Sequence, residues 1–182
     1  MNERYNLVAS KEQITTSITT TAKEILADFP HESPLFVALL RGGAPFASRL
    51  MFTLTQLQQD YHPELDYLTI STYASGKEAH EPAITSDLSP STTLVGRDVV
   101  ILDDVIDLGV TYDFAKQTLL DRGAQSVKLA VLASKDIPDR IPQADYHSLD
   151  GGDKWLVGFG LDDAEIATEG YRWIDEIWEI KR

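Results

Sequence analysis

Three aspartates, a glycine and a threonine fall within residues 103–111 in the pattern DDxxDxGxT: Asp103, Asp104, Asp107, Gly109 and Thr111. Four apolar residues, Val99, Val100, Ile101 and Leu102, come directly before them, so the acids sit at the C-terminal end of a short buried strand. In a parallel α/β sheet, ligands bind outside the carboxyl ends of the strands. Carboxylates placed there suit sugar hydroxyls, and the N-terminus of the following helix offers unpaired N–H groups to a phosphate. A sugar phosphate meets both demands at once. An isolated Asp-Asp pair would read as solvated acids before a turn. The complete strand–turn–helix unit argues for the sugar-phosphate site.

Other segments follow in a telling order. They are Leu39-Leu40-Arg41-Gly42-Gly43, Ser71-Thr72-Tyr73, Lys135, and Lys154-Trp155-Leu156-Val157-Gly158-Phe159-Gly160-Leu161-Asp162. Taken with DDxxDxGxT, they make the chain resemble the type I phosphoribosyltransferases, most closely the hypoxanthine/guanine branch. The resemblance runs from about residue 35 to 162. The Asp-rich signature is common to the superfamily, whereas KWLVGFGLD is particular to the branch that takes 6-oxopurines.

That resemblance implies an α/β fold with a mostly parallel, doubly wound sheet, a small hood from the terminal segments, and one domain over residues 1–182. It implies Mg2+-dependent transfer of the 5-phosphoribosyl group from phosphoribosyl pyrophosphate to hypoxanthine or guanine, a purine-salvage reaction. Xanthine or another base, or a non-catalytic relative that senses phosphoribosyl pyrophosphate, are the alternatives. Leu40, Arg41 and Gly42 would form the pyrophosphate loop, with a non-proline cis peptide as in relatives. Asp103 and Asp104 would bind the ribose hydroxyls, directly or through Mg2+. In an extended strand their side chains point to opposite faces, so one of them would act through backbone or metal.

Leu108, Gly109, Val110 and Thr111 would cradle the 5-phosphate. Asp107 matches the proton acceptor near N7 of the purine; its bland alternative is the N-cap of a helix starting near Leu108. Thr72 and Tyr73 would belong to a mobile catalytic loop that closes over the site and excludes water. Lys135 would read the purine O6, Trp155 would stack on the ring, and the Leu156 backbone would pair with its edge. Asp162 would hold a second Mg2+ against pyrophosphate.

Two positions depart from the family pattern. Relatives carry Thr or Ser where this chain has Leu108, which removes a hydrogen bond to the 5-phosphate worth about 1–3 kcal/mol if unreplaced. An apolar residue there could also pack on the hood or on another subunit. Relatives also place an Arg shortly after the position of Asp162; here Arg172 aligns only with a shift, and residues 173–182 do not resemble the family closely.

Composition sets wider bounds. A chain of 182 residues with 43% hydrophobic and 25% charged content suits one soluble domain with a sizeable core. A net charge of −13 argues against nucleic acid or an anionic membrane surface as partner. The same acidity sits awkwardly with a polyanionic substrate unless a divalent cation and backbone dipoles intervene. Without cysteine there are no disulfides, zinc–thiolate sites or thiol nucleophiles. The N-terminal residues lack a signal-peptide pattern and no apolar run approaches spanning length, so a cytoplasmic protein is expected. The resemblance adds a homo-oligomer, dimer or tetramer. The four histidines show no metal-ligand spacing and read as surface residues.

The elements that must position this chemistry follow from periodicity. Ser10 with Gln13 forms a capping-box pattern, and Ile14, Ile18, Ala22, Ile25 and Phe29 recur at helical spacing, predicting a helix over 11–29. Strands are expected at 35–40, 67–73, 98–102, 127–133 and 155–159, with a final strand or edge element in 171–180. A second helix follows Gly43, with Phe46, Leu50, Leu54, Leu57 and Tyr61 on one face, and a third spans 110–122 before Gly123. Residues 74–93 read as a long loop, Pro138 and Pro142 break regular structure, and Gly151-Gly152 punctuates a loop. Alternating strands and helices imply βαβ units.

Overall fold

The computed structural model describes residues 3–73, 79–135 and 143–181. The chain opens with β1 (Tyr5–Ala9), α1 (Lys11–Asp28), β2 (Leu35–Leu39), α2 (Gly43–Leu57), β3 (Glu64–Tyr73) and β4 (Ala79–Ser86). It continues through β5 (Asp98–Ile106), α3 (Val110–Asp121), β6 (Ser126–Lys135), β7 (Tyr146–Gly152), β8 (Leu156–Val157) and β9 (Ile177–Ile180).

The main sheet has six strands in the order β4-β3-β2-β5-β6-β7. Every neighbouring pair is parallel except β3 with β4. Strands β2 and β5 are central because their residues Leu35–Leu39 and Val99–Leu102 are apolar without alternation, which suits burial on both faces. Helices α1 and α2 cover one face through Ile14, Ile18, Ile25, Phe46, Leu50 and Leu54. Helix α3 covers the other through Tyr112, Ala115 and Leu119. The terminal strands form a separate antiparallel sheet, β1-β9-β8, which is the expected hood.

Local signals account for most boundaries. The capping box at α1 is present in both directions: Gln13 N donates to Ser10 Oγ at 3.4 Å and Ser10 N to Gln13 Oε1 at 2.8 Å. Several expectations need correction. Residues 79–86 are not loop but the antiparallel edge strand β4, held by its ladder to β3 and tolerant of Pro82 because an edge has an unpaired side. Gly151 and Gly152 end strand β7 rather than a loop. Helix α2 stops at Leu57, which is exposed, while Tyr61 is buried beyond its end. Strand β5 runs on to Ile106, β8 holds only two residues, and the C-terminal strand is confined to β9. The expectations for the Gly76 loop, Pro138 and Pro142, and for the side chains of Thr72, Tyr73 and His80, lie outside the described residues. His31, His62 and His147 are exposed, as expected.

Candidate active site

From β2 the chain crosses to β3 on one side, and later returns to β5 on the other side of β2. The gap between the carboxyl ends of β2 and β5 is therefore the switch point of the sheet, where a crevice must open. The loop after β2 and the aspartates of β5 both lie there.

Strand β5 has not turned when it reaches the acids, so Asp103 and Asp104 are consecutive strand residues, yet their side chains lie close enough to hydrogen-bond with each other. Asp103 accepts from the Asp104 amide at 2.9 Å, and Asp104 accepts from the Val105 amide at 2.7 Å. Burial pushes the Asp103 carboxyl well above the usual range, helped by the neighbouring charge of Asp104. Burial also raises Asp104, against the opposing effects of its hydrogen bond with Asp103 and the charge of Arg172. The backbone beside Asp104 is unusually close. A Cβ on Gly42 would meet the Asp104 carboxylate at 2.0 Å, and a Cβ on Gly160 would meet the Gly42 carbonyl at 2.2 Å. Only glycines let the β2 loop, the β5 acid and the Gly160 turn share this space. The Leu40–Arg41 peptide is cis, as the resemblance implied.

At the end of β5, Gly109 has φ 81° and is the N-cap of α3, with no side chain capping the helix. Asp107 is therefore not the helix cap, and α3 begins at Val110 rather than near Leu108. Leu108 is 71% exposed, so it does not pack on the hood. The amides at the start of α3 have no capping side chain, and a helix N-terminus of this kind can receive a phosphate.

Three residues expected at the base site converge across long sequence separations. Lys135, at the end of β6, places Nζ 3.2 Å from Asp107 Oδ2 and 5.2 Å from the centre of the Trp155 ring. Trp155 is half-exposed, leaving ring surface open to a ligand, whereas Leu156 is buried in β8 and can contribute only its backbone.

The C-terminal segment supplies what sequence spacing concealed. Arg172 is 9% exposed, donates to the Gly160 carbonyl, pairs with Asp162 at 2.9 Å and bonds Glu169. It thus reaches the crevice despite its shifted position, and its charge acts on Asp104. Glu169 also pairs with Arg41 from the β2 loop. Asp163 is 1% exposed and accepts from Tyr5 Oη at 2.7 Å, tying β1 to the turn after β8. An aromatic hydroxyl opposite a buried acid was the missing signal, and nothing local linked residues 5 and 163.

A switch point in the sheet, two adjacent acids at the carboxyl end of its central strand and an uncapped helix N-terminus beside them are features of a phosphoribosyl-class transferase. The comparisons bear this out: residues 8–164 match the phosphoribosyl transferase domain, and the chain belongs to that family. A hypoxanthine-guanine phosphoribosyltransferase of Streptococcus agalactiae serotype V is 32% identical over 166 residues, covering 90% of this chain and 88% of its own. The Streptococcus thermophilus protein of the same name is 32% identical over 158 residues, covering 86% and 84%. A crystal structure of a hypoxanthine phosphoribosyltransferase from Staphylococcus aureus superposes with a TM-score of 0.81 at 27% identity, covering 97% of this chain and 91% of that one.

Proposed function

We propose that this protein transfers the 5-phosphoribosyl group from phosphoribosyl pyrophosphate to hypoxanthine or guanine, a purine-salvage reaction. The observation that carries the reading is the convergence of Asp107, Lys135 and Trp155 beside the sugar-phosphate crevice. An acid, an ammonium and an open aromatic face are what a 6-oxopurine needs: a proton acceptor at the imidazole edge, a donor at O6 and a stacking surface.

In the reaction the bond from ribose C1 to pyrophosphate breaks and a bond from C1 to a purine nitrogen forms. The proton released by the base passes to the Asp107 carboxylate. Lys135 fixes the oxo edge and Trp155 the ring plane, so the attacking nitrogen is held in line. Asp103 and Asp104 bind the ribose hydroxyls, while Leu108, Gly109, Val110 and Thr111 receive the 5-phosphate, chiefly through backbone N–H groups. Leu40, Arg41 and Gly42 face the pyrophosphate, and Arg172 joins them.

The residues present fit a magnesium ion. Two neighbouring carboxyls whose charged forms are disfavoured by burial are an oxygen-only donor set that a hard divalent cation relieves. Among the described residues no group of three or more His, Cys, Asp or Glu could hold a metal. Asp103 and Asp104 would share Mg2+ with substrate oxygens, and the second oxygen of Asp162 would serve another ion. Held by these carboxylates, Mg2+ would supply positive charge against the departing pyrophosphate.

A cytoplasmic homo-oligomer belongs to the same reading. It is supported by the lack of cysteine and by Phe52 and Trp173, exposed beside one groove. No helix among the described residues is long and apolar enough to cross a membrane. Incubation with phosphoribosyl pyrophosphate, Mg2+ and each of hypoxanthine, guanine, xanthine and adenine tests the proposal. Nucleotide should form from the first two bases in preference to adenine; none from any oxopurine would refute it.

A further inference from the structure

Glu169 lies between the two arginines of the crevice, and its side chain is only 26% exposed although its partner Arg41 is 68% exposed. One of its oxygens pairs with Arg41 from the β2 loop and the other with Arg172 from the hood. A single carboxylate thus bridges two cations from different parts of the molecule, at the place where the donor's pyrophosphate would need both.

The placement is built into the backbone. Glu169 has φ 63° and Tyr171 φ 60°, left-handed conformations that non-glycine residues rarely adopt. The turn is held by Asp163 N donating to Gly170 O at 2.8 Å, Gly170 N to Ala167 O at 2.9 Å, and Gly160 N to Arg172 O at 2.9 Å. Such a turn persists only when surrounding structure over-determines it, and strained residues of this kind gather at ligand sites. Asp162 also pairs with Arg172, so that guanidinium carries one carboxylate besides Glu169.

We infer that Glu169 is an internal substitute for pyrophosphate: it occupies the anion subsite between Arg41 and Arg172 and must be displaced when the donor binds. The inference rests on the phosphoribosyl-transfer reading and adds to it a residue that sets donor affinity. Glu169 competes through charge, since a carboxylate satisfies each guanidinium as a phosphate oxygen does. Its amide equivalent keeps the shape and loses the charge, so the arginines are released to the incoming anion. Binding of a purine monophosphate, which carries no pyrophosphate, is indifferent to the change.

The experiment is calorimetric titration of the wild-type protein and Glu169→Gln with inorganic pyrophosphate plus Mg2+, with phosphoribosyl pyrophosphate plus Mg2+, and with inosine monophosphate. The variant should bind the two pyrophosphate-bearing ligands about tenfold more tightly and the monophosphate equally well, and its KM for the donor should fall without a matching fall in kcat. Equal or weaker pyrophosphate binding by the variant, with monophosphate binding intact, overturns the inference and leaves the transferase reading standing. Failure of the wild-type protein to bind either the donor or the monophosphate overturns both. Should Glu169→Gln not fold, Glu169→Ser, which also removes the charge, is held to the same outcomes.

Discussion

Replacing Gly42 by alanine should disable the site while leaving the fold nearly untouched. Gly42 has φ −58° and ψ −42°, a conformation alanine adopts freely, so the backbone offers no resistance. The obstacle is a side chain. The new Cβ would fall 2.0 Å from Asp104 Oδ2 and 2.5 Å from its Cγ, and real Cβ contacts essentially never come below 3.0 Å. The carboxylate must therefore retreat by about 1 Å or rotate away. Moving one carboxylate off its rotamer costs about 0.5–1.5 kcal/mol. Gly→Ala at a compatible position returns about 0.4–1 kcal/mol by restricting the unfolded chain. The two nearly cancel, so the melting temperature should stay within a few degrees.

Catalysis is less forgiving, because a displacement of about 1 Å in a positioning group can cost about 10²-fold in rate. Gly42→Ala should accordingly lose about 10²-fold in kcat/KM for the donor, measured with hypoxanthine at fixed Mg2+. Gly160→Ala is the contrasting control. Its φ is +114° and its Cβ would lie 2.2 Å from the Gly42 carbonyl oxygen, so backbone would have to move and the fold itself should suffer. Full activity in Gly42→Ala, or melting as low as that of Gly160→Ala, would refute the placement of Asp104 at the sugar site.

Three further outcomes are expected. Asp107→Asn should retain donor binding yet lose about 10²–10⁴-fold in kcat, with unchanged melting because Gly109 rather than Asp107 caps α3; unaltered turnover would remove its catalytic role. Leu108→Thr should tighten binding of purine monophosphate by about 1.5–3 kcal/mol at best, since Leu108 is 71% exposed at the phosphate turn. Calorimetry that finds no gain, with sedimentation showing a dissociated oligomer, would make Leu108 an interface residue instead. Burial pushes the phenols of Tyr5, Tyr112 and Tyr146 up to about 12. Because their folded values lie above the unfolded one, the stability they confer is complete below about pH 10 and disappears as pH rises toward 12. Phenolate absorbance followed alongside circular dichroism should show them ionising only as the fold is lost, and early ionisation in an intact fold would count against their burial.

Much of this protein was written locally. The capping box of Ser10 and Gln13, the apolar run of β5 and the DDxxDxGxT turn each declare themselves within a few residues, because their physics is short-range: hydrogen bonds three positions apart, and side chains that must leave water. The family's motifs were legible for the same reason, being loops that bind ligand with contiguous residues. What escaped depends on partners distant in sequence. Strand β4 sets only Ile84 against the core because it is an edge, held largely by backbone bonds to β3 that leave little trace in side-chain type. Asp163 has no local sign of burial, because its partner Tyr5 comes from β1, far away in sequence. Lys135 and Trp155 had chemistry in the sequence but no neighbour; only the closing of β6 and β8 around the switch point set them beside Asp107. Arg172 and Glu169 were furthest from view. A charged residue in a loop can face solvent or a site with equal ease, and the left-handed turn that decides between them is fixed by hydrogen bonds to Asp163 and Gly160, which tertiary packing alone supplies.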